Sequence, residues 1–131
     1  MTNAVKAIII KDGKLLLLKR NPALRNESNW DLPGGLIENG ETETQALKRE
    51  VKEEINVSIE ILRKAGNWKF VRRQDNKIVQ VQNFICHFTD NDTKIILSEE
   101  HISFEWIKPT DIVNYQVKDE SLKKNILKNF K

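Results

Sequence analysis

Three carboxylates, Glu50, Glu53 and Glu54, fall within five consecutive residues of the segment PGGLIENGETETQALKREVKEEINV, residues 33–57. The segment also carries Glu38, Glu41 and Glu43, against only Lys48, Arg49 and Lys52. Its apolar residues are spaced for a helix, with Leu47, Val51 and Ile55 recurring every four positions. On a wheel of about 100° per residue with Glu50 at the origin, Glu53 falls near −60° and Glu54 near +40°. The three carboxylates therefore share one face. The apolar stripe lies beside it, and Lys48 and Lys52 point away. Like charges at these spacings destabilise a helix by roughly 0.2–0.5 kcal/mol per pair. Partial burial beside the stripe raises that cost, and a divalent cation reverses its sign. Three converging carboxylates offer hard oxygen ligands, which suit Mg²⁺ or Mn²⁺. A solvated helix face is the plainer alternative, and the three charges alone do not separate the two.

The charge balance of the whole chain bears on this. Its 131 residues carry a net charge of +3, with 39% hydrophobic and 31% charged residues. Residues 38–54 hold six acids against three bases, so this island is at −3 and the remainder at +6. An acidic island in a basic protein suits a cation site amid surface that tolerates anions. The length fits one domain over residues 1–131. No stretch approaches the roughly 20 apolar residues that span a bilayer, so no membrane partner is expected. The opening MTNAVKAIIIKDGK is too briefly apolar for a secretory signal. Cys86 is the only cysteine, which excludes an intrachain disulfide and a cysteine zinc cage and makes a cytoplasmic setting the default.

The segment resembles the Nudix box. That family pattern places Gly, Glu, Arg-Glu, an aliphatic residue, Glu-Glu, Gly and an aliphatic residue at fixed spacings. Here the positions are Gly35, Glu41, Arg49, Glu50, Val51, Glu53, Glu54, Asn56 and Val57, with Asn56 standing where the family usually has Gly. Asn tolerates the left-handed conformation next best, so the same helix-ending turn is expected. The flanking order also resembles a small MutT-like Nudix domain: a leading hairpin, W-x-x-P-G-G, and a Glu-rich loop before F-x-W.

The resemblance implies hydrolysis of a nucleoside diphosphate linked to another group, with water attacking phosphorus and Mg²⁺ or Mn²⁺ as cofactor. Such a reaction needs charge neutralisation and an activated water more than covalent help. Glu50, Glu53 and Glu54 become the expected metal ligands, with the backbone carbonyl of Gly34 or Gly35 as a further one. Arg49 would orient Glu50 by a charge-assisted hydrogen bond, although spacing alone allows a plain Arg49–Glu53 surface pair. Glu41 would brace the loop or cap the helix. The general base is open among Glu50, Glu53 and the loop acids; by resemblance Glu100 stands in the expected place, with Glu99 its neighbour. A nucleoside triphosphate or related nucleotide is the leading substrate, so catalytic roles fall to Arg49, Glu50, Glu53 and Glu100. A nucleotide sugar, a dinucleoside polyphosphate, an RNA 5′ end or a non-catalytic nucleotide sensor are the alternatives. Many relatives pair as dimers, so a homodimer is a further expectation.

Other candidates carry weaker signals. Arg20 ends a strand and could contact phosphates, or be an ordinary exposed Arg. Trp68 and Phe70 share a strand face and could stack on a base, or belong to the core. Asp119 stands near the position where MutT-like relatives contact the base, and equally suits the N-cap of a last helix. Lys118, Lys123, Lys124, Lys128 and Lys131 make a basic final helix; a solvated face is the plainer account than an RNA platform. His87 and His101 show no ligand pairing, so structural roles are their default.

The elements that must position these groups follow from pattern. AVKAIII and LLLLKR read as strands joined by an Asp-Gly hairpin. Residues 21–29 read as a polar loop, and residues 30–41 as a turn-rich connection with a short strand at Leu36-Ile37. Thr42 with Gln45 is a capping-box signature opening a helix to Ile55. Strands are expected over Ser58–Leu62, Trp68–Arg72 and Ile78–Phe88, the last either bulged or buried on both faces. KIIL reads as loop or a short edge strand, ISFEWIK as a strand, PTDIV as a short helix and DESLKKNILKNFK as an amphipathic one. Strands mixed with two or three helices point to an α/β or α+β layered domain. The resemblance makes it an α/β/α sandwich with a mixed sheet between helices.

Overall fold

The computed structural model describes residues 1–25 and 28–130. Strands β1 (Ala4–Lys11) and β2 (Lys14–Arg20) form the expected hairpin. Asp12 and Gly13 turn it at φ 52° and 75°, the left-handed geometry that Asp-Gly favours. A one-turn helix α1 (Pro22–Arg25) follows where a loop was expected. Pro22 suits a first helical position, and Asn21 Oδ1 caps the turn by accepting from Ala23 N at 3.0 Å. The expected loop at residues 26 and 27 lies outside the described residues. Two short strands, β3 (Trp30–Asp31) and β4 (Gly34–Leu36), flank Pro33.

Helix α2 (Glu43–Ile55) has the reciprocal capping box. Gln45 N donates to Thr42 Oγ1 at 3.2 Å, and Thr42 N donates to Gln45 Oε1 at 2.9 Å. Asn56 ends it at φ 58° and ψ 38°, the left-handed turn expected of this residue.

Strand β5 (Ile59–Val71) is continuous where two strands were expected. Its register against β6 (Ile78–Phe88) shifts at Ile61/Arg63 and Lys64/Asn67, so the interruption in pattern is an irregularity within one strand. The mixed phases of β6 reflect burial on both faces: Val79 and Val81 on one, Phe84, Cys86 and Phe88 on the other. Residues 94–97 form no strand. Ile96 N and Ser98 N instead donate to the α2 carbonyls of Ile55 and Glu54, at 3.0 and 2.9 Å. Strand β7 (His101–Ile107), a 3₁₀ helix (Pro109–Asn114) and helix α3 (Glu120–Asn129) complete the chain.

The sheet is mixed, in the order β3-β2-β1-β6-β5, with β1 parallel to β6 and the other pairs antiparallel. Strand β4 pairs with β1, and β7 with β2. Alternation along β1 assigns its side chains to two layers. Val5, Ala7 and Ile9 pack against Leu47, Val51 and Ile55 of α2. Ile8 packs with Leu15 and Leu17 against Leu122 and Ile126 of α3. Each such buried aliphatic side chain contributes about 1.5–3 kcal/mol, which fixes α2 against the sheet and turns its carboxylate face toward β4. No described helix is long and apolar enough to cross a membrane.

Candidate active site

Two glycines let β4 lie close to its neighbours, Gly34 against β1 and Gly35 against α2. Gly34 has φ 148°, and a Cβ there would lie 2.0 Å from the Val5 carbonyl oxygen. At Gly35 a Cβ would lie 2.6 Å from Cδ of Glu50. Only glycine leaves the space that the Glu50 carboxylate occupies.

The three carboxylates leave the same helix face but do not share one environment. Arg49 gathers the outer ones. Its Nε and Nη2 donate to Glu41 at 2.7 and 2.9 Å, and its Nη1 to Glu50 at 3.0 Å and Glu53 at 3.3 Å. Nη2 also reaches the Leu36 carbonyl at 3.1 Å. The guanidinium is thus a hub joining loop and helix, held firmly cationic by Glu41, Glu50 and Glu53. Glu41 answers Arg49 with a lowered pKa and accepts from Glu38 N at 2.9 Å, the bracing role expected of it. The Glu53 side chain remains 59% exposed. Glu50 is more enclosed; burial, then Glu53 and Glu100, outweigh Arg49 and raise its pKa.

Glu54 points inward. It is 7% exposed and accepts one hydrogen bond, from Gly34 N at 2.7 Å. Burial pushes its carboxyl up to about 8, against the opposing pull of Lys6. Among the described residues, no basic side chain comes within ion-pair distance of it. The loop docked on the end of α2 delivers two more groups, so that Glu54, Glu100 and His101 each place a ligand atom within 4.8 Å of the others. His101 is buried, its Nδ1 has no hydrogen-bond partner, and burial lowers its pKa to about 4. It is a neutral nitrogen beside two carboxyls. Glu99 is exposed and uses its backbone carbonyl to accept from Asn21 Nδ2 at 2.9 Å.

These residues fit a hard divalent cation. A buried carboxyl whose ionisation is resisted by its surroundings becomes stable as a carboxylate when a cation arrives. The surrounding donors are mainly carboxylate oxygens, which suit Mg²⁺ or Mn²⁺. His101 escaped the sequence reading because its partners are 47 positions away at Glu54 and adjacent at Glu100. The run Glu99-Glu100-His101 before a strand was the available signal.

The remaining candidates divide. Arg20 pairs with His101 across β2 and β7, which sets it beside the cluster, and its Nη1 lies 3.7 Å from Asp31, which Lys6 also contacts at 2.9 Å. Trp68 and Phe70 are half-buried over Ala4, Val79 and Val81, with ring centroids 5.9 Å apart. Asp119 is the N-cap of α3 and accepts from Ser121 N at 2.9 Å.

Comparison with known proteins extends over the same residues. A family model described as the NUDIX domain matches residues 1–130. The nucleoside triphosphatase NudI of Escherichia coli is 31% identical over 121 residues, covering 84% of each chain. The CTP pyrophosphohydrolase of E. coli K12 is 29% identical over 116 residues, covering 88% of this chain and 82% of that relative. Among solved structures, a MutT protein from Methanosarcina mazei Go1 superposes with a TM-score of 0.78 at 26% identity, covering 95% and 89% of the two chains.

Proposed function

The chain belongs to the Nudix hydrolase family, and from that footing we propose that it hydrolyses a pyrophosphate bond in a nucleoside triphosphate or another nucleoside diphosphate derivative, with Mg²⁺ or Mn²⁺ as cofactor. The observation that carries this reading is the buried Glu54 facing Glu100 and His101 across less than 4.8 Å. The names of the two E. coli relatives, which point to CTP and nucleoside triphosphates, support the substrate class. The whole of residues 1–131 is read as one hydrolase domain.

Glu50, Glu53 and Glu54, with the backbone carbonyl of Gly34 or Gly35, would hold the cation. When bound, it would neutralise phosphate charge and lower the pKa of a ligated water. Gly34 N fixes the Glu54 carboxyl, and Arg49 fixes Glu50 and Glu53, so the ligands keep their orientation without substrate. Glu100 arrives from a different segment and would take the proton of the attacking water. Arg20 would meet substrate phosphate oxygens from β2, where Asp31 steadies it.

The test is a panel of CTP, ATP, GTP, UTP, a nucleotide sugar, a dinucleoside polyphosphate and a triphosphorylated RNA, with chromatographic identification of the nucleotide products and detection of any released phosphate or pyrophosphate. Turnover of nucleoside triphosphates that needs Mg²⁺ or Mn²⁺ and stops in excess chelator is expected. Turnover surviving the chelator would contradict the metal role. Turnover confined to the nucleotide sugar, dinucleotide or RNA would move the substrate class.

A further inference from the structure

The chain has two histidines, and they differ in environment. The His87 side chain is 42% exposed, and its Nε2 lies 3.1 Å from Glu60 Oε2. His101 is only 7% exposed, and its Nδ1 is buried with no hydrogen-bond partner among the described residues. A buried polar atom left unpaired costs free energy, and folded proteins keep few of them. A histidine retained for packing alone would be expected to pair that nitrogen.

Backbone contacts carry the ring to the acidic cluster. Ser98 N donates to the Glu54 carbonyl at 2.9 Å, and His101 N donates to the Ser98 carbonyl at 3.3 Å. The Glu100 carbonyl accepts from Asn21 N at 2.9 Å. Across the sheet, Arg20 opposes His101 where the β2–β7 register shifts, an irregularity of the kind that re-aims a side chain. The outcome is that Glu54, Glu100 and His101 each place a ligand atom within 4.8 Å of the others. Ligands held about 2.0–2.2 Å from one ion lie up to about 4.4 Å apart, so a small side-chain rotation closes these three on a single ion. The neighbouring cations Lys6 and Arg20 both face Asp31, at 2.9 and 3.7 Å, and its carboxylate offsets their charge.

We propose that a ring nitrogen of His101 joins Glu54 and Glu100 as a ligand of the bound cation, and that this nitrogen selects a first-row transition ion, Mn²⁺ or Co²⁺, over Mg²⁺. The inference rests on the hydrolase reading of the same site. It adds a ligand that the Nudix resemblance does not supply, since Glu50, Glu53, Glu54 and a glycine carbonyl are all oxygen donors. Mg²⁺ takes oxygen ligands and gives up its waters reluctantly. Transition ions accept imidazole, and affinity for a mixed nitrogen and oxygen site rises from Mn²⁺ to Co²⁺. A nitrogen among carboxylates therefore handicaps Mg²⁺ against both. A neutral imidazole also brings a lone pair without a charge, so it strengthens the site without adding to the repulsion among the carboxylates. A packing role is the other one open to His101, and it has a different signature.

The test loads metal-free protein with Mn²⁺ alone and records pulsed electron paramagnetic resonance. Wild type is expected to show a nitrogen coupling that changes when its histidines carry ¹⁵N. The coupling survives His87→Gln and disappears in His101→Asn. Calorimetric titrations with Mn²⁺, Co²⁺ and Mg²⁺, without nucleotide, supply the second readout. Wild type is expected to bind Mn²⁺ more tightly than Mg²⁺ by about tenfold or more. His101→Asn and His101→Gln offer an amide oxygen in place of the nitrogen and collapse that ratio toward one, mainly by weakening Mn²⁺. Bound Mn²⁺ without a histidine coupling, or a ratio unchanged in both variants, would overturn the proposal and return His101 to packing. If neither variant folds, the labelled wild-type spectrum decides alone. Turnover separates this idea from the catalytic one. Histidine-coupled Mn²⁺ in a protein that hydrolyses no nucleotide keeps the ligand and removes the hydrolase; metal-dependent hydrolysis without the coupling does the reverse.

Discussion

The acidic site has two halves built on opposite electrostatic terms. In the outer half a single guanidinium, Arg49, bonds Glu41, Glu50 and Glu53, so anionic charge is met by a cation of the same chain. In the inner half, Glu54 is buried with one backbone N–H donor and faces Glu100 and His101. The outer carboxylates have that guanidinium as their partner in the protein alone. Burial raises the inner carboxyl to about 8. Most of the repulsion legible in the sequence is therefore offset by Arg49 on the outer face, whereas the buried Glu54 has no basic side chain within ion-pair distance among the described residues.

Replacing one proposed ligand in each half separates their contributions. Glu54→Gln and Glu53→Gln are each expected to lower turnover on the order of 10³-fold, since both would lose preorganised electrostatics at the reacting phosphate. Steady-state kinetics at saturating Mg²⁺ measure this. Full activity in Glu54→Gln would place the cation in the outer half alone. Next in size, Arg49→Lys keeps the charge but not the fork, and a cost of about 10–100-fold is expected, the range for groups that orient ligands. A loss smaller than threefold would show that the hub is a surface ion-pair network.

Stability against pH sharpens the inner half. The Glu54 carboxyl is raised to about 8 in the folded protein, so the unfolded chain releases its proton first. Metal-free stability must therefore fall as pH rises from the unfolded carboxyl range toward 8. His101, depressed to about 4, acts oppositely, but only below its unfolded value near 6.5. Between pH 6.5 and 8 the Glu54 effect is free of the opposing His101 contribution. Urea unfolding in chelator should show a loss of about 1–2 kcal/mol across that window. The loss should shrink in Glu54→Gln and with millimolar Mg²⁺; a flat wild-type profile would contradict a protonated inner carboxyl. The smallest effect lies farthest from the site. Asp119→Ala removes the α3 cap and should cost about 1 kcal/mol with KM unchanged. A raised KM without a stability loss would return Asp119 to the substrate.

Much of this is legible in the sequence. Thr42, Gln45 and Asn56 announced both ends of α2 because capping is local chemistry, and Leu47, Val51 and Ile55 announced its buried face. The β1–β2 hairpin was readable from Asp12-Gly13 for the same reason. What escaped depended on partners distant in sequence. Strand β5 reads as two pieces because its register shifts against β6, an irregularity that no single strand reveals. The stretch from residue 94 to 98 is the loop that its pattern allowed, but only the fold shows Ile96 N and Ser98 N donating to α2 carbonyls.

The chain's own order of residues determined the helix, its acidic face, the glycines beneath it and the presence of Arg49 one position before Glu50, because spacing along a helix and at its caps is set within a few residues. Tertiary packing alone decided which carboxyl is buried, which ones Arg49 compensates, and that Glu100 and His101 meet Glu54. Those outcomes depend on the local dielectric and on distances between segments, and neither is fixed until the sheet and loop close over the helix.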